Sequence, residues 1–161
     1  MLASIAGARG TLEERDQQIE RSGMYGEYPA IVRAYEELFA DEESAAEAIK
    51  RATFLVWRGA MEPPVHTGIA PLPDGTVRAV IEKLDVHVRR DLGDAELEWM
   101  LAWYHAQGPY LLELYGATQA LLKFAPARYA DAWRDENISR QAMALRGQMG
   151  RYWVELRGST T

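Results

Sequence analysis

One apolar stretch organises this sequence, Leu97-Glu98-Trp99-Met100-Leu101-Ala102-Trp103-Tyr104. At about 100° per residue, its apolar side chains fall on two opposite faces of an α-helix. Only a narrow wedge with Glu98, Ala102 and His105 is left for water or a ligand. A helix that is apolar on two sides is usually packed between other helices. We therefore predict that residues 95–106 form a central helix around which the other helices pack.

The composition is that of one globular domain, with 161 residues, 48% hydrophobic and 26% charged. Because the chain has no cysteine, a disulfide scaffold, a thiolate metal site and a cysteine nucleophile are excluded. The net charge of −6 disfavours nucleic acid as a partner, since an acidic surface repels phosphate. No apolar run approaches the ~18 residues of a membrane span, so no membrane partner is expected. We expect a soluble, cytoplasmic protein, and its 15 arginines against 3 lysines suggest a bacterial source.

Helical periodicity recurs along the chain, and no segment shows the alternation of a strand. The spacing of Val77, Val80, Ile81, Leu84 and Val88 gives the clearest of these helices. We predict an all-α fold: a single compact bundle of six or seven helices over residues 11–157. Residues 1–10 are a candidate flexible segment, and residues 158–161 are expected to be a flexible tail.

Caps and breakers set the predicted helix bounds. Thr11 and Glu14 match a capping box, and Asp94 is the expected N-cap of the central helix. Prolines are tolerated at first helical positions, and glycines end helices. On these grounds we predict that Pro29 and Pro109 open helices and that Asp41 or Ser44 caps a third helix. Gly93 is expected to end the helix that begins at Asp74.

Two further helices are predicted towards the end of the chain. Gly116 is expected to lie inside the helix that contains Leu111, Leu114, Leu121 and Leu122. A last helix is predicted over residues 139–156, with Ala142, Leu145, Met149 and Trp153 facing inward.

Four prolines and two glycines within residues 62–75 predict a long loop there. At about 14 residues it exceeds the usual 4–6 of a compact connection. Such loops either carry function or are packed down by their own side chains. Val65, Ile69 and Leu72 are the candidates for that packing.

Charge is distributed unevenly along the chain. Residues 11–50 carry eleven acids and four bases, whereas residues 128–157 carry six arginines and four acids. The two segments are suited to complement each other within the fold. Six acids without an intervening base, Glu36, Glu37, Asp41, Glu42, Glu43 and Glu47, form either a solvated corner between helices or a docking surface for a basic partner.

A metal site has weak support from the spacing of potential ligands. Helical ligand pairs normally stand three or four residues apart, and the histidines show no such pairing. Glu98 and His105 share one wedge but are separated by a rise of about 10.5 Å. A divalent metal is therefore expected only if the proline loop folds over that wedge and completes a set of Glu62, His66, Glu98 and His105.

The aromatic residues give a second candidate site. Tryptophan and tyrosine at helical spacing usually form the core. The alternative is a ligand pocket between helices, for which Trp57, His66, Trp99 and Trp103 are the candidate residues. No motif for nucleophilic catalysis or phosphate binding is present.

The sequence favours a non-catalytic helical protein that binds another protein, or itself, in an interaction or regulatory role. No cofactor is expected in that case. The alternative is a small-ligand-binding or metal-dependent enzyme with its site between loop 62–75 and the central helix.

Overall fold

The computed structural model describes residues 7–125, 143 and 145–158. All regular structure in these ranges is helical, which confirms the all-α prediction. The elements, in chain order, are α1 (Leu12–Arg21), α2 (Met24–Glu37), a 3₁₀ turn (Leu38–Ala40), α3 (Ala45–Met61), α4 (Pro64–Thr67), α5 (Asp74–Arg89), α6 (Ala95–Gln107), α7 (Tyr110–Leu114), α8 (Gln119–Phe124) and α9 (Gly147–Gly158). None of the helices in these ranges is both long enough and apolar enough to cross a membrane.

The helix at the centre of the bundle is α3, whereas the sequence pointed to residues 95–106. It packs against α2, the 3₁₀ turn, α4, α5 and α6. Nine of its residues are buried, and eight of these, including Lys50 and Thr53, lie within residues 48–56. Apolar side chains on nearly all sides require neighbours on nearly all sides. Helix α3 therefore positions the elements that surround it.

Helix α6 is enclosed as its sequence predicts. Trp99 and Met100 are buried, and Ala102, which was assigned to the open wedge, is buried as well. On one side the Tyr104 ring stacks on Trp57 of α3, with ring centroids 4.5 Å apart. On another, Trp99 contacts Trp153 of α9, with centroids 4.1 Å apart. Thus α6 lies between α3 and α9.

Two predicted caps are confirmed by hydrogen bonds. The Thr11 hydroxyl accepts from the Glu14 N–H at 3.3 Å, and the Glu14 carboxylate accepts from the Thr11 N–H at 2.8 Å. The Asp94 carboxylate accepts from the Leu97 N–H at 2.8 Å. Since capping depends on a few adjacent residues, the sequence pattern was sufficient to identify these helix starts.

Other predicted bounds were wrong because tertiary burial overrode local signals. Helix α2 begins at Met24 and contains Pro29, since Gly23 turns the chain at φ 75° and allows Met24 to be buried. Gly116 does not lie within a helix: its φ of 85° separates α7 from α8. Leu145, predicted to face inward, is 85% exposed. Residues 139–142 and 144 of the predicted last helix lie outside the described residues.

Gly93 has a different role from the one predicted. Helix α5 ends at Arg89, and Asp91 adopts the left-handed turn conformation with φ 57°. A Cβ atom at position 93 would lie 2.7 Å from Cζ of Phe124. A side chain at position 93 would therefore have to displace the Phe124 ring of α8.

The proline loop is packed down by its own side chains. Ile69 and Leu72 join the hydrophobic core, and Val65 packs against it. A short helix, α4, interrupts the loop, and the Thr67 hydroxyl accepts from the Ile69 N–H at 3.0 Å. Burial of apolar side chains compensates for the conformational entropy lost by this ordered loop.

Candidate functional site

An open groove lies between the start of α3 and the end of α5, and we call it the α3/α5 groove. Its volume is about 600 Å³, within the range of about 300–1,000 Å³ seen for binding pockets. Several of its lining residues are exposed, Glu42 and Leu92 among them, so it opens to solvent. It is lined by Phe39, Ala40, Glu42, Ala45, Ala46, Ile49, Lys83, Val86, His87, Arg90 and Leu92.

The two walls of the groove carry opposite charge. The α3 wall carries Glu42, next to the exposed Asp41 and Glu43. The opposite wall carries Lys83 and Arg90, both exposed. Between the charged edges the lining is apolar apart from His87; the apolar residues are Phe39, Ala45, Ala46, Ile49, Val86 and Leu92. An apolar floor between polar edges is the usual composition of a protein-binding surface.

Local sequence explains the shape of the acidic wall. Helix α2 ends at Glu37, the 3₁₀ turn follows, and the Asp41 carboxylate accepts from the Ser44 N–H at 3.1 Å. This turn brings Phe39 to the side of α3, where it packs against the core. The predicted corner between two helices is therefore present, and it forms one edge of the groove.

His87 lies in the groove and is buried. Burial lowers its pKa below the ordinary value, although a backbone hydrogen bond with Leu92 and the Asp94 carboxylate act in the opposite direction. The imidazole is consequently neutral at pH 7. The positive charge of this wall comes from Lys83 and Arg90.

Glu47, the last of the six acids, does not belong to the groove surface. Its carboxylate pairs with Arg51 at 2.7 Å and also with Arg146, which in turn contacts Glu96 of α6. Burial acts to raise the pKa of Glu47, but hydrogen bonds from the two arginines outweigh it and lower the pKa. Arg146 thus joins the arginine-rich segment to the acidic one, as the charge distribution predicts.

The predicted aromatic ligand residues take part in packing contacts. Trp57 and Trp99 are each 3% exposed; Trp57 stacks on Tyr104, and Trp99 makes a tilted ring contact with Trp153. Trp103 is half-buried and donates from Nε1 to the Tyr152 hydroxyl at 2.9 Å. His66 is exposed on α4. The structure therefore does not bring these four side chains together around the α3/α5 groove.

The four predicted metal ligands are also not gathered into one cluster. Glu62 accepts from Nε and Nη2 of Arg58, both at 3.1 Å. His66 is exposed, whereas Glu98 and His105 are half-buried on α6. Among the residues that the structure describes, no group of three or more His, Asp or Glu side chains is arranged to hold a metal ion.

The groove was not predicted from the sequence, although one of its edges was. The run of acids marked the corner at residues 36–47 as a possible docking surface. Lys83 and Arg90, about forty residues further along, gave no comparable signal, because they stand among the solvent-facing charges of an amphipathic helix. Only the packing of α5 on α3 brings them opposite the acids.

Comparisons with protein-family models, with curated proteins and with solved structures found no match to this chain.

Proposed function

We propose that this chain is a non-catalytic interaction protein that binds an amphipathic helix of a partner protein in the α3/α5 groove. The supporting observation is an open apolar groove of about 600 Å³ with edges of opposite charge. An amphipathic helix offers an apolar stripe for such a floor and charged residues on either side of it.

The openness of the groove favours a protein segment over a small molecule. A small ligand is usually buried over about 70–90% of its surface. Here the exposed Ala40, Glu42, Lys83, Arg90 and Leu92 are part of the lining, so a small ligand would stay largely in water. A helix that rests on the groove would instead cover these residues with its own side chains.

Charge complementarity determines which helix fits. Lysine or arginine on one side of its apolar stripe would face Glu42 and the neighbouring acids. Glutamate or aspartate on the other side would face Lys83 and Arg90. Such edge pairs contribute more to partner selection and association rate than to affinity. A cytoplasmic location is part of this proposal, since a chain without cysteine fits a reducing compartment.

Leu92 provides a direct test, because it lines the groove and is 55% exposed. A photoreactive amino acid at position 92 should cross-link to one partner protein in cells. The same amino acid at position 114 is the control, because Leu114 is 62% exposed on α7 and is not part of the groove lining. With that partner purified, Leu92→Asp should weaken binding at least about tenfold, and Leu114→Asp should leave it unchanged.

Three results would contradict the proposal. Equal cross-linking from both positions would show that the groove is not the binding surface. Concentration-dependent dimerisation that Leu92→Asp abolishes would identify the occupant as a second copy. Stoichiometric zinc, iron or manganese that is lost in His105→Ala would favour the metal-dependent enzyme instead.

A further inference from the structure

A second, much smaller cavity lies where α3, α5, α6 and α7 meet. Its volume is about 20 Å³, and apolar side chains such as Val56, Ile81 and Leu101 form most of its wall. Thr53, Trp57 and Tyr104 also line it, and these three are 3%, 3% and 5% exposed. It is separate from the α3/α5 groove, with no lining residue in common.

Each of these three side chains carries a buried polar atom that lacks a hydrogen-bond partner among the described residues. The atoms are Oγ1 of Thr53, Nε1 of Trp57 and the hydroxyl oxygen of Tyr104. Buried polar atoms without partners are rare in folded proteins, because burial removes the hydrogen bonds they would make with water. Three residues that carry such atoms line this one cavity, so a common partner inside it would satisfy all three.

The positions of the three side chains make a shared partner feasible. Thr53 and Trp57 are four residues apart on α3, so they are neighbours on one helical face. The Tyr104 ring stacks on the Trp57 ring with an interplanar angle of 23° and brings α6 to the same place. The remaining polar side chain in the lining, His105, is half-buried at the edge.

Size and hydrogen-bonding chemistry together define the ligand. A cavity needs about 10–15 Å³ to hold a water molecule, so this one admits a single water and nothing larger. Indole Nε1 can only donate, and hence the ligand must accept at least one hydrogen bond. The two hydroxyl groups can donate or accept. Burial raises the pKa of Tyr104 well above its ordinary value, so its hydroxyl keeps the proton.

We propose that one structural water occupies this cavity and bridges Thr53 and Trp57 of α3 to Tyr104 of α6. A buried water typically makes about three hydrogen bonds to otherwise unpaired groups, which is the number of unpaired atoms here. The bridge would couple α3 to α6.

Isosteric variants test the proposal by the sign of their effect on stability. Thr53→Val and Tyr104→Phe each remove a hydroxyl with little change in shape. If the water is present, each variant lowers the melting temperature by about 2–4 °C, because the water loses a partner. If the cavity is dry, each variant removes an unpaired polar atom, and the melting temperature stays the same or rises.

The double variant and a matched control make the result specific. Because both hydroxyls bind the same water, the double variant should lose less stability than the two single losses combined. Thr76→Val on α5 measures the general effect of this substitution in a helix, since Thr76 does not line the cavity. Additive losses, or a loss in Thr76→Val equal to that in Thr53→Val, would overturn the proposal.

A high-resolution crystal structure gives the direct observation. Electron density for one water within hydrogen-bond distance of Thr53, Trp57 and Tyr104 would support the bridge. An empty cavity, or direct hydrogen bonds that satisfy all three atoms without water, would overturn it.

Discussion

Replacing Asp85 by alanine should destabilise the protein, because this buried carboxylate fixes the break between α7 and α8. It accepts from the Thr118 N–H at 3.0 Å and from the Thr118 hydroxyl at 2.6 Å, both at Oδ1. It also pairs with Arg89 at 2.8 Å, and its own side chain is 6% exposed. Thr118 is the N-cap of α8, but its side chain makes no capping hydrogen bond to that helix among the described residues. Its hydroxyl donates to Asp85 instead.

The expected loss follows from these contacts. A hydrogen bond to a charged group contributes about 1.5–3 kcal/mol, and the two from Thr118 share one oxygen, so we count about 3 kcal/mol for both. Arg89 is 52% exposed, and such a pair adds only about 0.2–1 kcal/mol. Asp85→Ala should therefore lower the free energy of unfolding by about 3 kcal/mol and the melting temperature by about 6–12 °C.

Urea denaturation at several pH values is the assay. Burial alone would raise the pKa of Asp85, but the hydrogen bonds from Thr118 and the Arg89 pair outweigh it and lower the pKa. The stabilisation is thus complete above the unfolded pKa of about 3.9 and is lost as the pH falls through the lower, folded-state pKa. The difference between wild type and Asp85→Ala should shrink accordingly below about pH 4.

Two further variants bracket the result. Asp85→Asn keeps one acceptor but loses the charge, so it should cost about 1–2 kcal/mol. Glu82→Ala, an exposed residue on the same helix, should stay within about 0.5 kcal/mol of wild type. The reasoning is refuted if Asp85→Ala is no worse than Glu82→Ala, or if its loss is the same at pH 7 and pH 3.

Three other variants can be measured by the same denaturation assay. Lys50→Met should lower stability by about 2 kcal/mol, since the buried ammonium contacts the carboxylates of Asp94 at 2.6 Å and Glu96 at 2.7 Å. The part of that loss due to Asp94 should diminish as the pH falls through the lowered pKa of Asp94, and a loss independent of pH would contradict this assignment. Asp91→Gly should raise stability by about 0.5–1 kcal/mol because glycine adopts positive φ freely, and no gain would argue against strain at this turn. Gly93→Ala should lower stability by about 1–3 kcal/mol through overlap with Phe124, and an unchanged stability would show that the ring moves aside without loss of packing.

Features that depend on adjacent residues could be predicted from the sequence. Helical spacing and the absence of strand alternation gave the all-α class, and short patterns gave the caps at Thr11 and Asp94. The apolar residues Ile69 and Leu72 correctly indicated that the proline loop packs down. Each of these features rests on contacts within a few residues, or on burial that one segment's composition already demands.

Features that depend on distant contacts were missed or misplaced. The sequence placed Gly116 inside a helix. In the structure Gly116 has a positive φ, and Asp85, thirty-one residues earlier, binds Thr118 at the start of a new helix. The sequence assigned Gly93 to the end of a helix, whereas in the structure the Phe124 ring lies where a side chain at position 93 would be. In both cases the deciding partner lies on another element, which periodicity cannot reveal.

The amino-acid sequence by itself determined that this chain forms amphipathic helices with a core rich in aromatic residues and an acidic corner at residues 36–47. Only the tertiary structure decided that α3 is central, that Lys83 and Arg90 lie opposite that corner across a groove, and that Thr53, Trp57 and Tyr104 share a cavity. Helix formation is governed by residues three or four positions apart, whereas a site is formed by side chains that only packing brings together.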